Sequence, residues 1–237
     1  MAQILKGAPV VAAMNEANAA RCAALKEKGI VPTLAVVRVG AREDDISYEK
    51  GIVTRCGKVG VEVRQFHLAE DVTQEELLDV IRQINGDASV HGCLIFRPLP
   101  KRFDDRRIQE ALAPEKDVDG FHPVSVGLLS IGDEGFAPAT PSGIMAIFKE
   151  YGIEVAGKNC VVVGRSNIVG KPMAALLLQH DATVTICHSK TQNLAEITRR
   201  ADIVIVATGR RNTLTADMVK DGVVVVDVGM NRNELGK

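Results

Sequence analysis

The residues with the clearest chemical purpose are Gly164-Arg165-Ser166-Asn167-Ile168-Val169-Gly170. They follow the apolar run Cys160-Val161-Val162-Val163 and precede Lys171-Pro172-Met173. An unbroken β-branched run reads as a parallel strand buried on both faces. A turn at Gly164 then brings the free N–H groups of a following helix to the sheet's carboxyl edge, where backbone donors and the helix dipole hold a phosphate. Pro172 fits the first helical turn, where its missing N–H costs nothing. The loop departs from Gly-x-Gly-x-x-Gly because Ser166 stands in place of the second glycine. A strand before it and a helix after it still mark a nucleotide clamp.

The end of the next expected strand discriminates between cofactors. An NAD site usually places Asp or Glu there, about 20 residues on, to bind the ribose 2′-hydroxyl. Here the strand ends Cys187-His188-Ser189-Lys190, with no acid. Together with Arg165 it offers cationic and hydroxyl donors suited to a 2′-phosphate, which favours NADP over NAD. The plainer alternative for Arg165 and Lys190 is a solvated loop.

Other candidates lie earlier in the chain. Asp119, taken alone, reads as a turn former and Tyr48 as a half-buried packing residue. Lys116 and Asp117 could form the general acid–base pair of a hydroxy-acid dehydrogenase. None of His67, His91, His122, His180 and His188 stands out as a base. The five cysteines (Cys22, Cys56, Cys93, Cys160, Cys187) are scattered, odd in number and never in Cys-x-x-Cys. They read as small core hydrophobes and reduced thiols of a cytosolic protein, with no metal site in view.

The elements that must position these residues follow from periodicity and breakers. Helices are expected over 8–28 (amphipathic, ended by Gly29), 47–59 (ended by Gly60), from 73 with a Thr73/Glu76 capping box, 106–112, 141–151, from 172 to 179, 194–200 and 216–220. Strands are expected at 33–39, 61–68, 93–96, 160–163, 183–187, 203–207 and 223–228. Residues 41–45 read as a polar loop and 114–139 as a loose stretch that shapes a site or joins two lobes. Alternating strands and helices imply an α/β protein of two lobes, 1–138 and 139–237, the second a doubly wound, Rossmann-like parallel sheet.

Net charge is −1 and aromatics are 3% with no Trp, which leaves little for a polyanion or exposed bases to engage. Neither a nucleic acid nor a membrane is an expected partner, since no apolar run approaches the ~18 residues of a bilayer span. The N-terminus reads as the start of a helix and not as a signal peptide.

Several clusters, in order, carry a resemblance that runs from end to end. They are Tyr48, Pro98-Leu99-Pro100, Lys116-Asp117-Val118-Asp119-Gly120-Phe121-His122-Pro123 and Pro138-Ala139-Thr140-Pro141-Ser142-Gly143. Two more follow, the clamp at 164–172 and Val226-Asp227-Val228-Gly229-Met230-Asn231. Together they resemble the methylenetetrahydrofolate dehydrogenase/methenyltetrahydrofolate cyclohydrolase family.

The resemblance implies two α/β lobes flanking a cleft that holds the folate, a homodimer, a cytoplasmic location and a place in one-carbon metabolism. It also implies NADP-dependent oxidation of 5,10-methylenetetrahydrofolate, then hydrolysis of the methenyl product to 10-formyltetrahydrofolate. Asp119 resembles the carboxylate that hydrogen-bonds the pterin, and Tyr48 the tyrosine lining the folate pocket. Pro98 and Leu99 are implied at the substrate, and Gly164, Arg165, Ser166, Ser189 and Met230 at the cofactor.

Three departures shape the expectation. The family pattern Tyr-x-x-x-Lys, whose lysine serves the cyclohydrolase step, has Ile52 here, and Phe96 replaces the glutamine two residues before Pro98. Water attack on a methenyl cation needs a polar group to guide proton transfer. An isoleucine–phenylalanine pair supplies none, so the hydrolysis is expected to be weakened, lost or rebuilt around Arg97 or another group. The chain also stops at Lys237, before a Pro-Gly-Gly segment and last helix that the family carries, which implies weaker folate binding. The competing readings are another two-lobe NADP-dependent dehydrogenase and a non-catalytic NADP-binding module.

Overall fold

Apolar strands paired in parallel, with helices on their faces, form the core of each half of the chain. The computed structural model describes residues 2–229. It divides into two compact units, Met1–Ser125 and Val126–Lys237, where the sequence suggests a change near 138.

In the first unit β1 (Thr33–Val39) lies between β2 (Glu62–Leu68) and β3 (Gly92–Ile95), all parallel. Its central place explains its composition, since Ala35, Val36 and Val37 are fully buried and no face is left for alternation. The edge strand β2 carries exposed and half-buried residues and buries none fully. One face of the sheet packs Ala35, Val37, Cys93 and Ile95 against α3 (Gln74–Gly86) and α4 (Asp105–Ala111). The apolar stripe Leu77, Leu78, Ile81 and Ile84 of α3 is buried there, and the Thr73/Glu76 capping box starts that helix as expected. The other face carries α2 (Glu43–Val59), whose Ile52 packs with Val36 and Phe96. Gly60 ends α2 at φ 87°, a left-handed conformation that disfavours a β-carbon.

Three expectations are corrected in this part of the chain. Residues 43–45 are not loop but the first turn of α2, where Glu43, Asp44 and Asp45 meet the positive end of the helix dipole. The stretch 114–139 is not loose throughout. It holds a 3₁₀ turn at Pro114–Lys116 and a helix, α5 (Pro123–Ile131), whose apolar run lacks the polar spacing that announces a surface helix. The first helix, α1 (Gly7–Glu27), buries only Val10 and Cys22, so its apolar stripe is narrower than expected.

The second unit is a four-stranded parallel sheet in the order β5-β4-β6-β7, from β4 (Asn159–Val163), β5 (Thr183–Cys187), β6 (Ile203–Val206) and β7 (Val224–Asp227). The strand order reverses beside β4, which is where such sheets bind ligands. Helices α6 (Ala139–Glu150) and α7 (Gly170–Gln179) cover one face through Ile144, Phe148, Met173 and Leu177. On the other face α8 (Leu194–Thr198) packs Leu194 and Ile197 over Val161, Val163 and Val204.

Four cysteines are buried and Cys56 is half-buried. Burial, then the charges of Asp117 and Asp119, pushes the Cys93 thiol up to about 12, the behaviour of a packing residue and not a nucleophile. No helix among the described residues is long and apolar enough to cross a membrane.

Candidate functional site

The second unit gathers its candidates at the carboxyl edge of β4 and β5. Gly164 leaves β4 at φ 136°, and a β-carbon there would lie 2.5 Å from the Ala207 carbonyl oxygen. Gly170 opens α7 so close to its own loop that a β-carbon would lie 2.2 Å from the Gly164 carbonyl oxygen. Both glycines are therefore demanded by backbone meeting backbone, which no rotamer can relieve. Ser166, at the position of the missing glycine, has a local task that its spacing did not announce. Its Oγ accepts from the N–H groups of Val169 (3.1 Å) and Gly170 (3.4 Å) and so caps the start of α7.

Capping leaves the loop itself open, for the N–H groups of Arg165, Ser166, Asn167 and Ile168 donate to no other described residue. A polyanion with acceptor oxygens fits that set of donors. The Gly164 N–H donates to the Cys187 carbonyl at 2.8 Å, tying this loop to the end of β5. There the His188 ring accepts from the Lys190 N–H (3.2 Å), and the Thr191 hydroxyl accepts from the His188 N–H (2.8 Å). Ser189 and Lys190 are exposed on that turn, as is Arg165 on the adjacent loop. Met230 lies outside the described residues.

The first unit presents side chains. Tyr48 stands out from α2, 58% exposed, with its ring 5.5 Å from that of Phe96 and tilted by 49°. Beneath this pair Ile52 and Val36 close an apolar cluster with Phe96. Arg97 points elsewhere. It lies over the Phe121 ring at 4.7 Å, pairs with Asp105 and shares a small cavity with Ile95, Ile108 and Leu112. That is the Ile95 side of the strand, away from Ile52, so Arg97 does not stand beside Ile52 and Phe96. Pro98 is exposed and Leu99 half-buried just beyond.

The Lys116–Phe121 motif divides its labour. Lys116 is buried and its Nζ donates to the carbonyls of Ile84 (2.6 Å), Asn85 (3.0 Å) and Asp87 (2.8 Å), capping the end of α3. Asp117 is buried and accepts from the His122 N–H (2.7 Å) and the Ser125 hydroxyl (2.8 Å). Val118 fills the space over Gly92, where a β-carbon would be 2.5 Å from its Cγ1. The pair suggested as an acid–base couple is thus committed to structure. Asp119, half-buried, pairs with no described residue. Burial, then the nearby charge of Asp117, pushes its carboxyl up to about 6, with Arg97 opposing.

One cluster escaped the sequence reading. Glu49, 3% exposed, accepts from Arg38 Nε (3.0 Å) and His67 Nε2 (2.8 Å). The available signal was Arg38 itself, a cation inside the otherwise apolar strand β1, which requires a buried counter-charge.

Residues 5–119 match the family model for the tetrahydrofolate dehydrogenase/cyclohydrolase catalytic domain, and residues 138–237 the model for its NAD(P)-binding domain. The chain is similar to the bifunctional protein FolD of Campylobacter hominis, with 50% identity over 99% of this chain and 83% of that one. Among solved structures it is similar to the bifunctional FolD enzyme of Campylobacter jejuni. There the TM-score is 0.97 and the identity 47%, over 99% of this chain and 84% of that one. It is also similar to the Trypanosoma brucei methylenetetrahydrofolate dehydrogenase-cyclohydrolase, solved with NADP cofactor and inhibitor. In that case the TM-score is 0.91 and the identity 33%, over 97% and 80% of the two chains.

Proposed function

We infer the activity of this chain from the premise that it belongs to the tetrahydrofolate dehydrogenase/cyclohydrolase family. It is an NADP-dependent 5,10-methylenetetrahydrofolate dehydrogenase, with methenyltetrahydrofolate cyclohydrolase activity as its family companion. The observation that carries the reading for this chain is the open phosphate cradle at 164–170 in the second unit, and the first unit, taken by itself, adds an exposed tyrosine and an unpaired carboxyl at Asp119.

NADP, when bound, accepts the hydride. The loop N–H groups from Arg165 to Ile168 hold its phosphates, and Arg165, Ser189 and Lys190 supply the donors that a 2′-phosphate requires. Tyr48 offers a flat apolar face to the folate, supported from behind by Phe96, with Pro98 and Leu99 beside it. Asp119 accepts hydrogen bonds from the pterin's N–H groups, which relieve the charge that burial makes unfavourable. The methylene carbon sits between two nitrogens whose lone pairs stabilise the developing cation. Oxidation therefore asks the protein mainly for positioning.

Hydrolysis asks for more, because water adding to the methenyl carbon must give up a proton. Ile52, Phe96 and Val36 offer no acceptor beside Tyr48, and Glu49, the nearby carboxylate of α2, is engaged by Arg38 and His67. We therefore read the hydrolytic step as the slow one. Dehydrogenase and cyclohydrolase rates followed on one preparation test this. NADP reduction with accumulating methenyltetrahydrofolate is expected, and clearance of added methenyl compound well above the buffer rate would refute the slow step. The same reading includes a homodimer in the cytoplasm, to be checked by sedimentation and by localising the tagged protein.

A further inference from the structure

The first nine residues of α2, from Glu43 to Gly51, bury one side chain, and it is the carboxylate of Glu49. Farther along, α2 rests on apolar contacts, Ile52 and Cys56 against Val36, Val63 and Leu94. Such contacts are non-directional and let a helix roll by some degrees at little cost. The Glu49 contact is directional. One carboxylate oxygen takes the Arg38 Nε–H at 3.0 Å and the other takes the His67 Nε2–H at 2.8 Å. Arg38 and His67 are register partners on β1 and β2, and Arg38 also donates to the Gly40 carbonyl at the turn that leads into α2. Burial opposes the charge on Glu49. The bonds from His67, Arg38 and Gln65 outweigh it and hold the carboxyl below its ordinary range.

We propose that Glu49 is a positioning residue for Tyr48. Its carboxylate, clamped between Arg38 and His67, sets how the first half of α2 lies on the sheet and hence the aromatic face offered to the substrate. The proposal rests on the reading of Tyr48 as a folate contact. Paired charged hydrogen bonds fix both the height and the roll of the helix at the residue next to Tyr48.

The test is Glu49→Gln in the full chain. The amide keeps the shape but has a single acceptor oxygen and leaves Arg38 buried without its counter-charge. The expected result is a rise of about tenfold in KM for methylenetetrahydrofolate, with kcat within about twofold and KM for NADP unchanged. Val63→Ala, in the apolar cluster under the same helix, serves as the control for lost stability alone. Equal folate KM values in the two variants at similar Tm overturn the proposal. If Glu49→Gln does not accumulate as folded protein, His67→Ala decides, since His67 is half exposed. A rise of about threefold in the same KM supports the proposal and no change overturns it. Wild-type protein that fails to reduce NADP with methylenetetrahydrofolate would instead overturn the activity on which the proposal stands.

Discussion

At the carboxyl edge of the four-stranded sheet, the groups we propose to meet the cofactor are backbone N–H groups held by two glycines and a capping serine. At the carboxyl edge of the three-stranded sheet the proposed contacts are side chains, Tyr48 from α2 beside the Phe96 ring and Asp119 from the short connection between Lys116 and Pro123. Both edges arise from the same parallel pairing, yet they respond differently to change. A backbone cradle has no tolerance for an added atom. A side-chain site can exchange a lysine position for Ile52 or a glutamine position for Phe96 and still fold, because the replacements pack on each other and on Val36. The cradle is thus fixed by backbone sterics, whereas Ile52 and Phe96 are held by how they pack.

The sharpest way to break this contrast is Gly170→Ala. Its β-carbon would lie 2.2 Å from a carbonyl oxygen, so the loop must move. NADP affinity should fall by at least about a hundredfold while folate binding persists, as read by cofactor fluorescence and by folate-analogue titration. Asp119→Asn comes next. The wild-type rate with limiting folate should decline below about pH 6, where the Asp119 carboxyl takes up its proton. The variant should lose roughly a hundredfold in kcat/KM together with that acid limb.

The linkage sign for Asp119 is the reverse of that for a salt-bridged acid. A carboxyl raised on folding favours the protonated state, so its contribution to stability is lost as pH rises from the ordinary carboxylate range through about 6. Asp119→Asn should consequently raise Tm at pH 8 relative to wild type and lose that advantage near pH 4.

Two smaller effects are expected. Ile52→Lys combined with Phe96→Gln should raise the ratio of hydrolysis to oxidation by about tenfold, measured on one preparation, at a cost in Tm from the lost apolar cluster. Arg165→Ala should reduce the preference for NADP over NAD by about tenfold, seen as a higher KM for NADP with that for NAD nearly unchanged.

Much of the second unit was legible because its information is local. The run Cys160–Val163, Gly164, Gly170 and the acid-free turn after Cys187 lie within one strand–loop–helix–strand passage, and the strands fall where periodicity places them. The capping role of Ser166 was hidden, since a serine in the place of a glycine does not declare which N–H groups it accepts. In the first unit, Thr73 and Glu76 announced their helix through a three-residue spacing, whereas α5 did not, its apolar run carrying no period. Lys116 and Asp117 looked like chemistry and are architecture, because only the fold reveals that three carbonyls close on Nζ.

The amino-acid order by itself determined the two α/β lobes, the parallel sheet of the second, the glycine turn after β4 and the departure at Ile52 and Phe96. These depend on near neighbours in the chain, on periodicity and on steric demands that a single residue type can meet. What tertiary structure alone decided is which charged groups are spent on packing and which remain unpaired. Arg38, Glu49 and His67 come from a strand, a helix and a second strand, and their meeting depends on register and helix placement. The same distant packing leaves Asp119 without a partner and turns Arg97 away from Ile52. Burial and pairing are properties of the assembled core, so no short stretch of sequence contains them.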